Sequence, residues 1–156
     1  MEIDAMVADS AITAEGKLYL QGGAWHMVSA PALPLRIPRI GLGISIRVAW
    51  TDTNQPHNFE VRLQDADGHV LPLGDAPPGS GGEDGKIRRI GTGFNVGRPP
   101  FLQPGDDQLM PLAMNIDGLV FDSAGRYEFV ISIDGEDVKH LPMRIVETGA
   151  MGPTVA

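Results

Sequence analysis

The sequence predicts an all-β chain, a single antiparallel sandwich of two sheets with about eight strands and little helix. Three observations carry that expectation. Ile40, Leu42, Ile44, Ile46, Val48 and Trp50 alternate with Gly41, Gly43, Ser45, Arg47 and Ala49, the period-2 pattern of a strand with one buried face. Tyr127, Phe129, Ile131 and Ile133 repeat it, and Asp134-Gly135 then offers a tight hairpin turn before Leu141, Met143 and Ile145 return. Just upstream, Asp122-Ser-Ala-Gly125-Arg-Tyr127 has the form of a tyrosine corner, in which a Tyr at a strand start folds its hydroxyl back onto upstream backbone.

The elements follow in order. Ile3, Ala5 and Val7 alternate with Asp4, Met6 and Ala8 as a first strand, and Ala14-Glu-Gly16 turns the chain. Lys17 to Gln21 resumes alternation with Leu18 and Leu20 inward, until Gly22-Gly23 marks a bulge or a close backbone approach. Residues 28–38 read as a Pro-interrupted connection, because Pro cannot donate to a sheet ladder. The Ile40 strand comes next, with Trp50 continuing its buried register, and Thr51 to Pro56 forms a polar turn. Phe59, Val61 and Leu63 make an amphipathic return strand closed by Asp65-Ala-Asp-Gly68, and Val70 to Leu73 pairs briefly. Ile90, Thr92, Phe94 and Val96 alternate again; Arg98 to Asp107 is Pro-rich; Leu112, Met114 and Ile116 begin the last sheet region. No window holds a 3.6-residue apolar period over three turns, and 20 Gly and 13 Pro punctuate the chain as many short strands require.

Composition bounds the rest. The length of 156 residues suits one domain, expected over residues 1–148, with a mobile Gly/Pro loop at 74–85 and a disordered tail at 149–156. A formal net charge of -8 argues against nucleic acid and against anionic lipid, both of which attract Lys and Arg. The absence of Cys excludes disulfides, thiolate metal sites and a Cys nucleophile. MEIDAMVADS lacks a signal peptide's basic and apolar regions, and no apolar run reaches the roughly 20 residues of a membrane span, so a cytoplasmic location is expected.

Ala8-Asp9-Ser-Ala11, Gly16-Lys17-Leu18 followed by Gly22, the Asp67-Gly68 turn and the Gly125-Arg-Tyr127 region together resemble a family of uncharacterised bacterial proteins. That resemblance covers most of the chain and implies an immunoglobulin-like or C2-like sandwich. It brings no activity, cofactor, partner or functional residue.

The chemistry-bearing residues form no catalytic pattern. Gly91-Thr-Gly93-Phe-Asn-Val-Gly97 misses the dinucleotide spacing by one residue, and Arg-Pro-Pro stands where a phosphate-capping helix would start. Glycines that bend a strand explain it better. His26, His57, His69 and His140 are never two or four residues apart, as local metal pairs would be, and read as solvent-facing or strand-end histidines. No Gly-x-Ser-x-Gly elbow exists. The expectation is a non-enzyme without catalytic, cofactor or metal residues, acting as a binding or scaffold module for an unidentified protein partner, its oligomeric state open. A Ca²⁺-binding C2-like module and an enzyme with a site hidden from sequence are the alternatives.

Two sets of end-loop residues suit a protein partner, since interfaces favour Trp, Arg, Phe and Met: Trp25 with Met27, and Arg98 with Phe101 and Leu102. Plugging of the sandwich end is the structural alternative for Phe101 and Leu102. If every successive strand reverses, loops near 26–38, 66–86 and 117–125 share one end, and loops near 9–16, 51–56, 98–107 and 134–137 the other. The second end would gather Asp52, Asp106, Asp107, Asp134, Glu136 and Asp137, enough carboxylates for Ca²⁺ if the loops converge, although turns and solvation account for them equally well.

Overall fold

Each alternating stretch is a strand in the computed structural model, which describes residues 1–80 and 84–149. The expected tail beyond Gly149 lies outside the described residues. Twelve strands, rather than about eight, run through the described residues. The first five are β1 (Glu2–Ala14), β2 (Lys17–Gly23), β3 (Met27–Ala30), β4 (Leu35–Val48) and β5 (His57–Asp65). Three short pieces follow, β6 (Val70–Leu71), β7 (Gly74–Asp75) and β8 (Lys86–Ile87), then β9 (Arg89–Phe94). The last three are β10 (Gln108–Phe121), β11 (Gly125–Ile133) and β12 (Glu136–Glu147). One 3-10 turn, Trp50–Asp52, is the helical element among the described residues, and none of their helices could cross a membrane.

The strands form one sheet in the order β10-β4-β1-β2, another in the order β3-β12-β11-β5-β6 with β9 also on β5, and a two-stranded β7-β8 piece. The inward residues of β1, β4 and β10 and those of β5, β11 and β12 merge into one hydrophobic cluster. Burying one face of each large sheet against the other is what their period-2 patterns require.

Both outer faces are covered in part, by different means, with Met6 and Leu109 of the first left exposed. On the first sheet, pairing of β1 with β4 ends at Ala8–Gly41, and β1 then turns with β2 back across the outer face. Gly41 and Gly43 lie under this hairpin. A Cβ on Gly41 would sit 2.7 Å from the Ser10 Cα, and one on Gly43 2.2 Å from Leu20 Cδ2. Asn115 of β10 pins the hairpin, accepting from the Ala11 N–H at 2.9 Å and donating to the Ala11 carbonyl at 2.8 Å. On the second sheet, Val130 alternates with Phe129 and Ile131 and faces outward, yet it is 0% exposed. A network spanning β5, β11 and β12 covers that face: Arg62 donates to Asp137 (2.8 and 2.6 Å) and Ser132, Gln64 donates to Glu128 (2.6 Å), and His140 approaches Glu128.

Tyr127 completes its corner, the hydroxyl donating to the Ser123 carbonyl at 2.6 Å. Several expectations need correction. Residues 28–38 are not a plain connection: they contain most of β3 and the start of β4. Within the expected 74–85 loop, Gly74–Asp75 is a short strand paired with β8, and residues 81–83 lie outside the described residues. Trp50 does not extend the β4 register; the strand stops at Val48 and Trp50 is half-buried in the 3-10 turn. Pairing is not wholly antiparallel, since β3 runs parallel to β12. Strict reversal therefore fails. The Glu15-Gly16 turn lies at the far end of β1 from Glu2, which pairs with Arg47, so it is opposite the 50–56 loop instead of beside it.

Candidate functional site

The segments 49–56, 95–107 and 134–135 do meet at one end, and long-range side-chain bonds hold them there. The loop after β9 is shaped by two successive turns. The Leu102 N–H donates to the Pro99 carbonyl at 2.9 Å and the Asp106 N–H to the Gln103 carbonyl at 3.0 Å. Each turn has Pro in its second position, Pro100 and Pro104, where the ring presets φ. Gly105 follows Pro104 with φ of 91°, the left-handed conformation that a type II turn demands. Asp106 stiffens the second turn by accepting the Gln103 N–H at 2.9 Å.

The loop's base is pinned. Arg98 Nε donates to Thr53 Oγ1 at 2.5 Å, its Nη2 donates to the Trp50 carbonyl at 2.8 Å, and the guanidinium lies 4.0 Å above the Trp50 ring. A cation over an indole face adds electrostatic attraction to those bonds. The Asn54 N–H donates to the Val96 carbonyl and Gln108 Nε2 to the Gly97 carbonyl, both at 2.8 Å. Above this base, Phe101 is 82% exposed and Leu102 half-buried. Phe101 therefore does not plug this end of the fold.

His57, at the start of β5, is buried rather than solvent-facing. Its Nδ1 lies 2.7 Å from Asp134 Oδ2 and its Nε2 2.8 Å from the Asp52 carbonyl, with the Phe94 ring 5.3 Å away. Two acceptors call for two ring protons, the imidazolium form. Burial pulls its pKa down, but the Asp134 carboxylate and the Asp52 carbonyl outweigh it, and the net shift is upward. The same bond to His57, with the Asn58 N–H, holds the Asp134 carboxyl below its ordinary range. Asp134 and Gly135 both have positive φ, 51° and 84°, as a two-residue hairpin turn of this hand requires. Sequence reasoning missed the His57 contact, whose partner stands 77 residues away.

The acidic residues of this end are committed separately. Asp134 serves His57, Asp137 serves Arg62 and Ser132, Asp106 caps its own turn, and Asp107 lies 3.8 Å from Arg47. Among the described residues, the side chains whose ligating atoms do converge are Asp65, Asp67 and His69, in the turn after β5. There Asp65 Oδ1 accepts the N–H groups of Asp67 and His69, which is ordinary turn chemistry.

Trp25 and Met27 sit elsewhere, on the side where the chain passes from β2 to β3. Trp25 packs against the core with its Nε1 buried and unpartnered, and Met27 is 50% exposed on β3. Gly91 and Gly93 lie on β9 against β5, where a Cβ on Gly91 would stand 2.6 Å from the Phe59 carbonyl oxygen. Close strand approach, not a phosphate, accounts for that glycine.

The geometry defines an all-β protein with a loop at one end that is hydrogen-bonded at its base and bears an exposed Phe. A model of the family of unknown function DUF6941 matches residues 3–146, and the chain belongs to that family. No curated protein matches the sequence. Among solved structures, the alkylpurine DNA glycosylase AlkC of Pseudomonas fluorescens, bound to DNA containing an abasic site analogue, is similar with a TM-score of 0.38 and 9% identity. The alignment covers 91% of this chain but 30% of that enzyme, so this chain spans less than a third of its length.

Proposed function

We propose that this protein is a non-catalytic, immunoglobulin-like two-sheet module of the bacterial cytoplasm that takes up a protein partner on the loop bearing Phe101. The observation that carries the reading is an 82% exposed Phe on a loop whose base is fixed by Arg98, Thr53 and Trp50. A loop ordered before contact loses less conformational freedom on binding, so more of the contact energy appears as affinity. Burying one Phe side chain contributes about 1.5–3 kcal/mol, the scale of an interface hot spot. The outer sheet faces offer less: one lies under the β1–β2 hairpin and the other under a hydrogen-bonded ionic network. Both nitrogens of the buried histidine already have partners, so neither is free to act as a base, which supports the non-catalytic reading.

The test is capture of partners from bacterial lysate by the wild type, Phe101→Ser, Arg98→Ala and Trp25→Ala. A protein retained by wild type and Trp25→Ala should be lost from Phe101→Ser, with at least about a tenfold weaker Kd once purified. The Phe101→Ser unfolding curve should change by less than about 0.5 kcal/mol, because that residue is 82% exposed. Retention of the partner by both Phe101→Ser and Arg98→Ala would end the proposal.

A further inference from the structure

The Phe101 loop hangs on a chain of bonds that begins one layer deeper. Asp134, in the β11–β12 turn, holds His57; His57 holds the Asp52 carbonyl; the Trp50–Asp52 turn carries the Trp50 carbonyl, which accepts from Thr53 Oγ1 at 2.6 Å and from Arg98. Arg98 in turn anchors the loop. We propose that His57 is a proton-dependent latch for the docking loop: charged, it ties the hairpin turn to the 3-10 turn beneath Arg98, and neutral, it releases that end. This inference rests on the docking reading for its purpose, but not for its mechanism.

The geometry makes the two states unequal. A neutral imidazole has one N–H, and His57 faces two oxygen acceptors. Losing the proton breaks one bond and points a buried nitrogen lone pair at an oxygen, a cost relieved only where solvent reaches Asp134. The groups that face or act on His57 come from every neighbouring element: the carboxylate of Asp134, the carbonyl and nearby carboxylate of Asp52, and the uncharged ring of Phe94. The Met1 ammonium acts on Asp134 from the chain start and favours its ionised form. The sign follows from the raised His57 pKa. Its contribution is complete below the unfolded histidine value and is lost as pH rises through the folded one.

The full chain, without any partner, is titrated by NMR while amide hydrogen exchange is read and corrected for intrinsic rates. One histidine signal should titrate above the ordinary imidazole value and vanish in His57→Gln. The Asn54 amide, bonded to the Val96 carbonyl, should lose about tenfold protection through that same step. Asp134→Asn keeps a residue tolerant of positive φ but removes the charge, and it should move the step to lower pH. Unstepped exchange at Asn54, a step surviving in His57→Gln, or a step unmoved in Asp134→Asn would each overturn the latch. Partner capture by Phe101 is a separate measurement, so a failed latch and a failed docking surface are distinguishable.

Discussion

Replacing Tyr127 by Phe isolates a single hydroxyl. The ring is buried and packs edge-on against Phe121, with centroids 4.9 Å apart, and the substitution leaves that contact in place. What is lost is the bond to the Ser123 carbonyl at 2.6 Å and the approach of the Ser123 hydroxyl at 3.1 Å. A neutral hydrogen bond contributes about 0.5–1.5 kcal/mol net, and an acceptor left unmade on the protein side adds to that cost. Ser123 is exposed, so water recovers part of the loss and the total should be about 1–2 kcal/mol. In urea this appears as a lower midpoint at constant slope, and on heating as about 2–4 °C per kcal/mol for a chain of this size. An unchanged midpoint with an unchanged slope would show that the corner contributes no net stability.

Three further outcomes concern the sheet faces. Gly41→Ala places a methyl against Ser10 backbone, so it should cost about 1–3 kcal/mol, whereas Gly43→Ala meets only the movable end of Leu20 and should cost less; the reverse order in chemical denaturation would refute the hairpin packing. Arg126 and Arg144 are direct cross-strand partners, and because the Arg144 N–H donates toward β3 they form the closer, non-hydrogen-bonded pair. Arg144→Glu should therefore stabilise the protein by about 0.2–1 kcal/mol, and a lowered midpoint would contradict this. The Asp137 carboxyl is held far below its usual range by bonds from Arg62 and Ser132, so its contribution is present above the unfolded carboxylate value and lost as pH falls through its own depressed one. Asp137→Asn should flatten the acid limb of the stability–pH curve, and an unaltered limb would count against the network.

What was legible in the sequence was local. Period-2 alternation marks a strand with one buried face wherever it runs for several residues, which is why β1, β4, β5, β10, β11 and β12 stand out. The Tyr127 corner lies within Ser123 to Tyr127 and needs no distant partner. β3 escaped because Met27–Ala30 is four residues long with a single fully buried side chain. The start of β4 was hidden by Pro38, which is tolerated because β1 pairs with β4 only as far as Gly41 and the strand has an open edge there. Gly41 and Gly43, two outward glycines in an otherwise unbroken strand, were a readable sign of close approach by another segment. His57 with Asp134 and Arg98 with Trp50 left no such sign, because their partners come from other strands and depend on how the sheets are connected.

The division between tip and base gives the candidate site its internal logic. Phe101 is 82% exposed, so a change there should alter binding and leave unfolding almost alone. Arg98, Thr53 and His57 join three segments, so a change at any of them shifts both the local stability of the end and the loop's readiness to bind. Tip and base residues should then combine non-additively in binding, because a loosened base removes the preorganisation from which the tip draws its affinity. Arg62, Gln64 and Asn115, whose side-chain bonds stay within the sheet-face network and the hairpin, should combine with the loop additively. That contrast separates a loop that works because it is stiff from a Phe that merely happens to be exposed.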